Sequence, residues 1–410
     1  MARLGVQGDG IVETADGPVF APLVLPGEHV RGAAVGERME TVERLSAAPQ
    51  RVDPACPHFG PCGGCSLQHF EAAAQTAWKR DMVVTALAHR GFDTPPVGPV
   101  LSVPADRRRR VTVTWQAKGG GGAQLGFLAR RSHRFVPVRT CPVLAPAIAG
   151  AWAGLEALAG AATALSDTGQ IHVLASDTGL DIDLRPQTGE RDALPGLVVS
   201  QTLLKAAQGL KAARLCMDGQ TMAEWRRPTV TMGRVPVAPP PGAFLQPSAE
   251  GQAHLTQAVR DGVGAAGAVA DLFAGCGTFA LALAPDHPVH AVEQDEAALN
   301  ALDAARRHAQ GLKPVSLDRR DLFQRPLSPK ELARFEAVVM DPPRSGAREQ
   351  AAAVAASDIT RVVMVSCNPA TFARDARILA DGGFTLATVH PVDQFVWSTH
   401  IESVAVMHRV

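Results

Sequence analysis

Tyrosine is missing from this chain altogether, and aromatic side chains of any kind make up only 5% of its 410 residues. Recognition by ring stacking must therefore use Phe, Trp or His, or the flat guanidinium of Arg. Long apolar runs are missing too. None approaches the roughly 18 residues needed to cross a bilayer, and the first ten residues, MARLGVQGDG, lack the apolar core of a secretory leader. No membrane partner is expected, and a cytoplasmic, reducing location is. Net charge is absent, with forty Lys and Arg against forty Asp and Glu. Cysteine is scarce and odd in number, seven in all, which excludes a complete disulfide framework. Because the thiols cluster, they point instead to metal binding or catalysis.

At this length one core is not enough, and two or three domains are expected. Residues 1–48 hold short strand-like pieces broken by Asp16-Gly17, Pro26-Gly27 and Gly36, the grammar of a small OB-type barrel. Residues 49–240 hold a cysteine-rich segment, a helical stretch from about Phe70 to His89 and a β-rich middle interrupted by a helix near Ala145 to Ala164. Pro236 to Pro241 reads as a linker. From 241 to 410 strands and helices alternate, and the fold class is α/β, a doubly wound sheet whose sites lie at the carboxyl ends of its strands.

Charge that cancels globally is unevenly placed. Arg107, Arg108, Arg109, Arg110, Lys118, Arg130, Arg131, Arg134 and Arg139 fall in one stretch that contains no carboxylate. That is the footprint of a phosphate-binding surface on an otherwise acidic body, and RNA is the expected partner. Nothing calls for an obligate protein partner.

Asp271-Leu272-Phe273-Ala274-Gly275-Cys276-Gly277 runs from a strand into a glycine turn and then a helix. Gly275 and Gly277 let the backbone close on a ligand, and Glu293, ending the next strand, can accept ribose hydroxyls. The third glycine of a dinucleotide fingerprint and the lysine of a P-loop are absent, so S-adenosyl-L-methionine fits better than NAD or ATP. Asp341-Pro342-Pro343-Arg344 ends the fourth strand. Arg344 stands where enzymes that methylate base amines place a stacking aromatic, which disfavours that chemistry.

Ser366-Cys367-Asn368-Pro369 places a thiol between a buried strand and a helix N-terminus, where the dipole and free N–H groups are expected to lower its pKa. Such a thiolate can add to carbon 6 of a pyrimidine and make carbon 5 nucleophilic. The carbon 5 proton must then be removed, and Glu402 is the candidate base. Cys56, Cys62 and Cys65, spaced C-x5-C-x2-C, with Cys141 as a fourth donor, suit zinc or an iron–sulfur cluster alike.

These segments, together with Phe244-Leu245-Gln246 and His400-Ile401-Glu402, resemble the RNA (uracil-5-)-methyltransferase family over nearly the whole chain, and most the iron–sulfur branch that acts on 23S ribosomal RNA. The resemblance implies an S-adenosylmethionine-dependent enzyme making 5-methyluridine in 23S ribosomal RNA, with transfer RNA as the alternative substrate and a non-catalytic assembly factor as a third reading. It implies Cys367 as nucleophile, Glu402 as base, and Gln246, Phe273, Glu293, Asp321 and Asp341 around the cofactor. It further implies a [4Fe–4S] cluster on Cys56, Cys62, Cys65 and Cys141, and a TRAM-type barrel over residues 1–48. Two residues depart from the family pattern in Asp393 to Glu402: Val396 replaces a proline and Ser398 a threonine. Phe395 and Trp397 are candidates for holding out the target base.

Overall fold

Five short apolar runs of four to six residues, each followed by a turn and most by a helix, build the parallel part of one large sheet. A computed structural model describes residues 3–15, 17–40, 42–187 and 196–409. The sheet's strands are β1 (Leu101–Ser102), β2 (Val269–Leu272), β3 (Val289–Glu293), β4 (Val315–Arg319), β5 (Ala337–Met340), β6 (Arg361–Ser366), β7 (Phe384–Asp393) and β8 (Glu402–Arg409). They lie in the order β4-β3-β2-β5-β6-β8-β7-β1. From β4 to β6 the pairing is parallel, and β8 is inserted antiparallel between β6 and β7. β2 and β5 are buried at every residue, which is why they read as continuous apolar runs rather than alternating ones.

Helices cover both faces. On one, Leu255, Val259 and Val263 of α2 (Ala249–Val263) and Leu299 and Leu302 of α3 (Glu296–His308) enter the core. On the other, Val83 and Leu87 of α1 (Ala72–Ala88) meet Phe372, Ala376 and Leu379 of α4 (Pro369–Asp381). Three of these helices start on side-chain caps: Ser248 accepts from the Gly251 N–H, Asp295 from Ala297 and Ala298, and Asn368 from Ala370. Each such cap is worth about 1 kcal/mol.

The middle of the chain forms a second sheet of seven strands, in the order Phe135–Pro137, Ala123–Leu128, Arg110–Ala117, Thr168–Ser176, Gly179–Pro186, Arg214–Met217 and Gln220–Glu224. The buried Trp115 ring lies against Gly169 of the neighbouring strand, a contact that leaves no room for a Cβ there. The helix expected near Ala145 to Ala164 is present as Pro146–Ala149 followed by Trp152–Ala162. A further helix, Leu197–Gly209, is not legible in the sequence because Val198, Val199 and Thr202 weaken its propensity. Burial of Leu203 and Ala207 against the sheet holds it.

Two expectations are corrected here. The proline-rich segment is not a free linker at its start: Val235–Val237 pairs antiparallel with Val230–Met232, with Pro236 opposite Thr231 and Val237 fully buried. A two-stranded edge tolerates that proline because no third strand needs its N–H. In the N-terminal region the strands form an open five-stranded sheet, Arg3–Leu4, Gly10–Thr14, Gly17–Ala21, Arg38–Met39, Ala34–Val35, beside a separate pair, Val30–Arg31 with Glu43–Arg44. Among the described residues no closed barrel is found. Five of these seven pieces pair through only one or two residues on any side, too little ladder to carry the sheet round to its own edge.

Candidate active site

The carboxyl ends of β2, β3, β5 and β6 carry the residues singled out from the sequence. At the tip of β2, Phe273 takes φ +63°, a left-handed conformation that non-glycine residues adopt at a cost of about 1 kcal/mol or more. Gly275 (φ +55°) has open space where a Cβ would stand, whereas a Cβ on Gly277 (φ +95°) would strike Leu302. The first glycine thus leaves the turn open and the second lets Leu302 pack close. Glu293 ties the turn to β3: one carboxylate oxygen accepts from the Gly275 N–H at 2.9 Å, the other from Gln294 and Asp295 at 2.7 and 2.8 Å. Three of its roughly four acceptor positions are occupied, so a ribose would meet a carboxylate already fixed in place. Phe273 packs against Phe323 with centroids 5.5 Å apart, and Asp321 holds that loop by accepting from the Phe323 N–H at 2.8 Å. Asp271, beneath the turn, is wholly buried. Burial and the nearby Asp341 and Glu293 charges push its pKa well up.

Strand register brings Cys367 and Glu402 together. Ser366 of β6 pairs with Ser403 of β8, so one step further along this antiparallel ladder Cys367 stands opposite Glu402. The thiol does not behave as the sequence predicts. Its pKa is pushed up, to about 11, by burial and by the Glu402 and Asp341 carboxylates, with Arg344 opposing. The helix offers it little, because Asn368 caps α4 with its own side chain and Cys367 lies one residue outside that cap. Glu402 is itself raised, to about 8, by burial and then by the Asp341 charge, while Gln394 and Arg344 act the other way. Burial takes Asp341 to about 7.

Gln394 is the residue that sequence reasoning missed. It is 5% exposed, donates to the Gln246 side chain at 2.7 Å, and holds the pKa of Glu402 down. Gln246 and the candidate base therefore both meet one amide. The only sequence signal is its place one residue after Asp393. That aspartate pairs with the fully buried Lys79 of α1 at 2.7 Å, and Lys79 also donates to the Phe395 carbonyl. Arg344 closes the other side, donating to His400 Nδ1 at 3.0 Å while its carbonyl accepts from Asn368 and Thr371.

Cys367 opens onto a cavity of about 730 Å³ whose walls include His89, Arg90, Arg130, Arg131, Arg344 and His400. No described carboxylate lines it. Neither Phe395 nor Trp397 lines it either. The basic stretch divides by function: Arg130 and Arg131 reach this cavity, but Arg109 points inward and donates to the Gln246 carbonyl and to Gln252. Arg108 lies over Phe395, 5.9 Å from the ring centre.

Cys56, Cys62, Cys65 and Cys141 line a different cavity of about 370 Å³, shared with Arg108. Burial raises Cys62, Cys65 and Cys141, the last to about 12, and the charges of the companion thiols push in the same direction. Among the described residues no three His, Cys, Asp or Glu side chains form a group able to hold a single metal ion. No helix of the described residues is long and apolar enough to cross a membrane.

A parallel sheet whose last strand is inserted antiparallel, with a glycine turn on its second strand in chain order, has the architecture of the α/β methyltransferases, and that is the class of this protein. A family model described as tRNA (uracil-5-)-methyltransferase matches residues 238–410. The chain is 45% identical over 407 residues to an uncharacterised RNA methyltransferase of Mesorhizobium japonicum, covering 99% of this chain and 97% of the relative. It is 32% identical to the 23S rRNA (uracil(1939)-C(5))-methyltransferase RlmD of Chromohalobacter salexigens, covering 99% and 88%. Its fold is similar to that of the Pyrococcus abyssi tRNA (uracil-54, C5)-methyltransferase solved with S-adenosyl-L-homocysteine, with a TM-score of 0.75 at 19% identity and 99% of each chain covered. The chain belongs to the RNA (uracil-5-)-methyltransferase family and is an S-adenosylmethionine-dependent enzyme of RNA modification.

Proposed function

We propose that the enzyme methylates carbon 5 of one uridine in 23S ribosomal RNA through a covalent adduct at Cys367. The observation that carries the mechanism is the β6–β8 register, which sets a thiol and a buried carboxylate face to face beside a basic cavity. Cys367 loses its proton to solvent and its sulfur adds to carbon 6, leaving an enolate at carbon 5. S-adenosylmethionine supplies the methyl group to that carbon when bound. Glu402, in its ionised form, then takes the carbon 5 proton, the electron pair re-forms the 5,6 double bond, and the Cys367 thiolate leaves. Asp341 and Gln246 fit a cofactor-side role, as do Phe273, Gly275, Gly277, Glu293 and Asp321 around the β2 turn. Extrusion of the uridine from its stack is required to reach carbon 6.

Ribosomal RNA is preferred because RlmD of Chromohalobacter, 32% identical along nearly this whole chain, carries that substrate in its name. Transfer RNA is the alternative. Residues 1–48 and 49–240 serve RNA and the cysteine site, and residues 241–410 the methyl transfer. The four cysteines fit a [4Fe–4S] group better than a single zinc ion. Zinc draws its sulfurs to about 2.3 Å from one point, whereas a four-iron cluster takes one thiolate per iron and spreads them around a larger body. Anionic sulfurs that raise one another's pKa suit a cationic group between them, with Arg108 at the rim.

Incubation with cofactor and 23S RNA containing 5-fluorouridine tests the reaction, because fluorine cannot leave as a proton. The expected product is a denaturation-resistant complex linked at Cys367, absent from Cys367→Ala. Free, methylated RNA from that variant at the normal rate sinks the mechanism. Mapping of 5-methyluridine in cells lacking the protein decides the substrate: loss confined to transfer RNA overturns the ribosomal assignment.

A further inference from the structure

Asp9, in the turn between Arg3–Leu4 and Gly10–Thr14, is 1% exposed and faces three guanidinium groups. Arg38 lies at 3.0 Å, Arg130 at 2.9 Å and Arg131 at 3.2 Å. Arg130 and Arg131 also donate to the Gln7 carbonyl and side chain. One buried carboxylate thus gathers three cations from two parts of the chain, one from the N-terminal sheet and two from the loop after Ala123–Leu128. The cluster keeps a surplus of two positive charges. Asp9 is buried while all three arginine side chains stay part-exposed, so the surplus charge faces solvent and is open to an anion.

The surplus has a direction. Arg130 and Arg131 form part of the wall of the Cys367 cavity, where no described carboxylate stands. On the far flank Glu37 shares a separate depression with Arg38 and Arg131, so that side is less positive. The same turn abuts the catalytic loop: Gly8 has φ +76°, and a Cβ there would lie 2.9 Å from the Thr399 methyl.

We propose that Asp9, braced on its far side by Arg38, organises Arg130 and Arg131 into a subsite for the phosphodiester backbone beside the extruded uridine. This rests on the reading that RNA enters at Cys367. Planar guanidinium groups bind phosphate through paired N–H donors, and holding them in place beforehand removes the cost of ordering long side chains on binding. Phosphate contacts of this kind fix the position of a nucleic acid without reading its sequence. Asp9 is then a positioning residue that strengthens the binding of a polyanion although it is itself an anion. The subsite exists only where the N-terminal sheet and the central sheet meet.

The test uses the full chain and a 23S RNA fragment that the enzyme methylates, titrated between 50 and 200 mM salt. Asp9→Asn is expected to weaken RNA binding about ten-fold and raise KM with kcat little changed, leaving cofactor affinity as it was. Arg131→Gln, at a part-exposed position, is expected to lower the slope of log K against log salt by about one. Binding of RNA by Asp9→Asn as tight as or tighter than wild type overturns the proposal, as does an unchanged salt slope for Arg131→Gln. If Asp9→Asn does not fold, the Arg131→Gln slope and an Arg130→Gln titration decide: a fall of about one in each slope supports the subsite, and unchanged slopes overturn it. Wild-type enzyme that binds RNA but forms no 5-fluorouridine adduct refutes the covalent reading alone, and the affinity results still judge the subsite.

Discussion

Cys367 has its protonation set by burial and by Glu402, and neither influence follows from local sequence. Strand-turn-helix grammar shows that Cys367 ends a strand, but its pKa is raised first by burial in the folded sheet and then by the Glu402 and Asp341 carboxylates, which pairing brings from elsewhere in the chain. On the proposed mechanism, replacing Glu402 by Gln removes the base while leaving the nucleophile. The variant is expected to accumulate a methylated protein–RNA adduct, with release of product slowed at least a hundred-fold, read on denaturing gels with labelled cofactor. Normal release from Glu402→Gln refutes its assignment as base. The raised carboxyls also make stability depend on pH. Glu402 moves from 4.5 to about 8 and Asp341 from 3.8 to about 7, so the folded state holds protons that the unfolded chain releases. Their contribution is complete below pH ~4 and is lost as pH rises towards 8. The unliganded enzyme's melting temperature is expected to fall by about 5 °C or more between pH 5 and 8.5, and Glu402→Gln to flatten that decline; a decline of equal depth in the variant contradicts it.

Among the elements, α1 and the segment leading into β8 are joined by the Lys79–Asp393 pair, in which the lysine is fully buried. Sequence periodicity places the helix within two residues of its observed ends but gives no hint that its lysine faces inward. Lysine is rarely buried, and its partner lies 314 residues away. Lys79→Ala leaves Asp393 buried without a countercharge and is expected to cost about 3–5 kcal/mol in urea unfolding. The double variant Lys79→Met with Asp393→Asn is expected to recover most of that loss, since neither residue is then charged. If the double variant is no more stable than the single one, the pair is not what holds this junction. The basic stretch teaches a related lesson. Its composition marks it as RNA-facing, yet Arg109 is spent on Gln246 and Gln252, because alternation along a strand sends neighbouring side chains to opposite faces.

Taken as a whole molecule, the cysteine loop touches both walls of the reaction cavity. Gly63 donates to the Leu128 carbonyl at 3.0 Å, at the base of the loop bearing Arg130 and Arg131, and Ser66 and Leu67 donate to the Trp397 carbonyl at 2.8 and 3.0 Å. If the four thiols hold a cluster, Cys141→Ser is expected to lose its iron and weaken RNA binding by ten-fold or more while keeping cofactor affinity. Iron analysis beside RNA and cofactor titrations checks this; an iron-free variant with unchanged RNA affinity uncouples the loop from the cavity. Much of this large-scale plan was legible. Every strand expected after residue 241 is present, because buried parallel strands announce themselves as apolar runs between helices. What was not legible depends on contacts between distant segments: the open N-terminal sheet, Asp9 gathering its arginines, and Gln394 between Gln246 and Glu402.

The smallest strand of the large sheet has consequences for how the gene can be cut. β1 contributes only two residues, but with the Gly98 and Val103 N–H groups donating to Val389 and Asp393 it shields the outer side of β7. A fragment starting at residue 241 would bare that side as a hydrogen-bonding template for other copies, and expressing it alone invites edge-to-edge aggregation. On the proposed reading residues 241–410 carry the chemistry, while the residues before them cover the edge through which that part would aggregate.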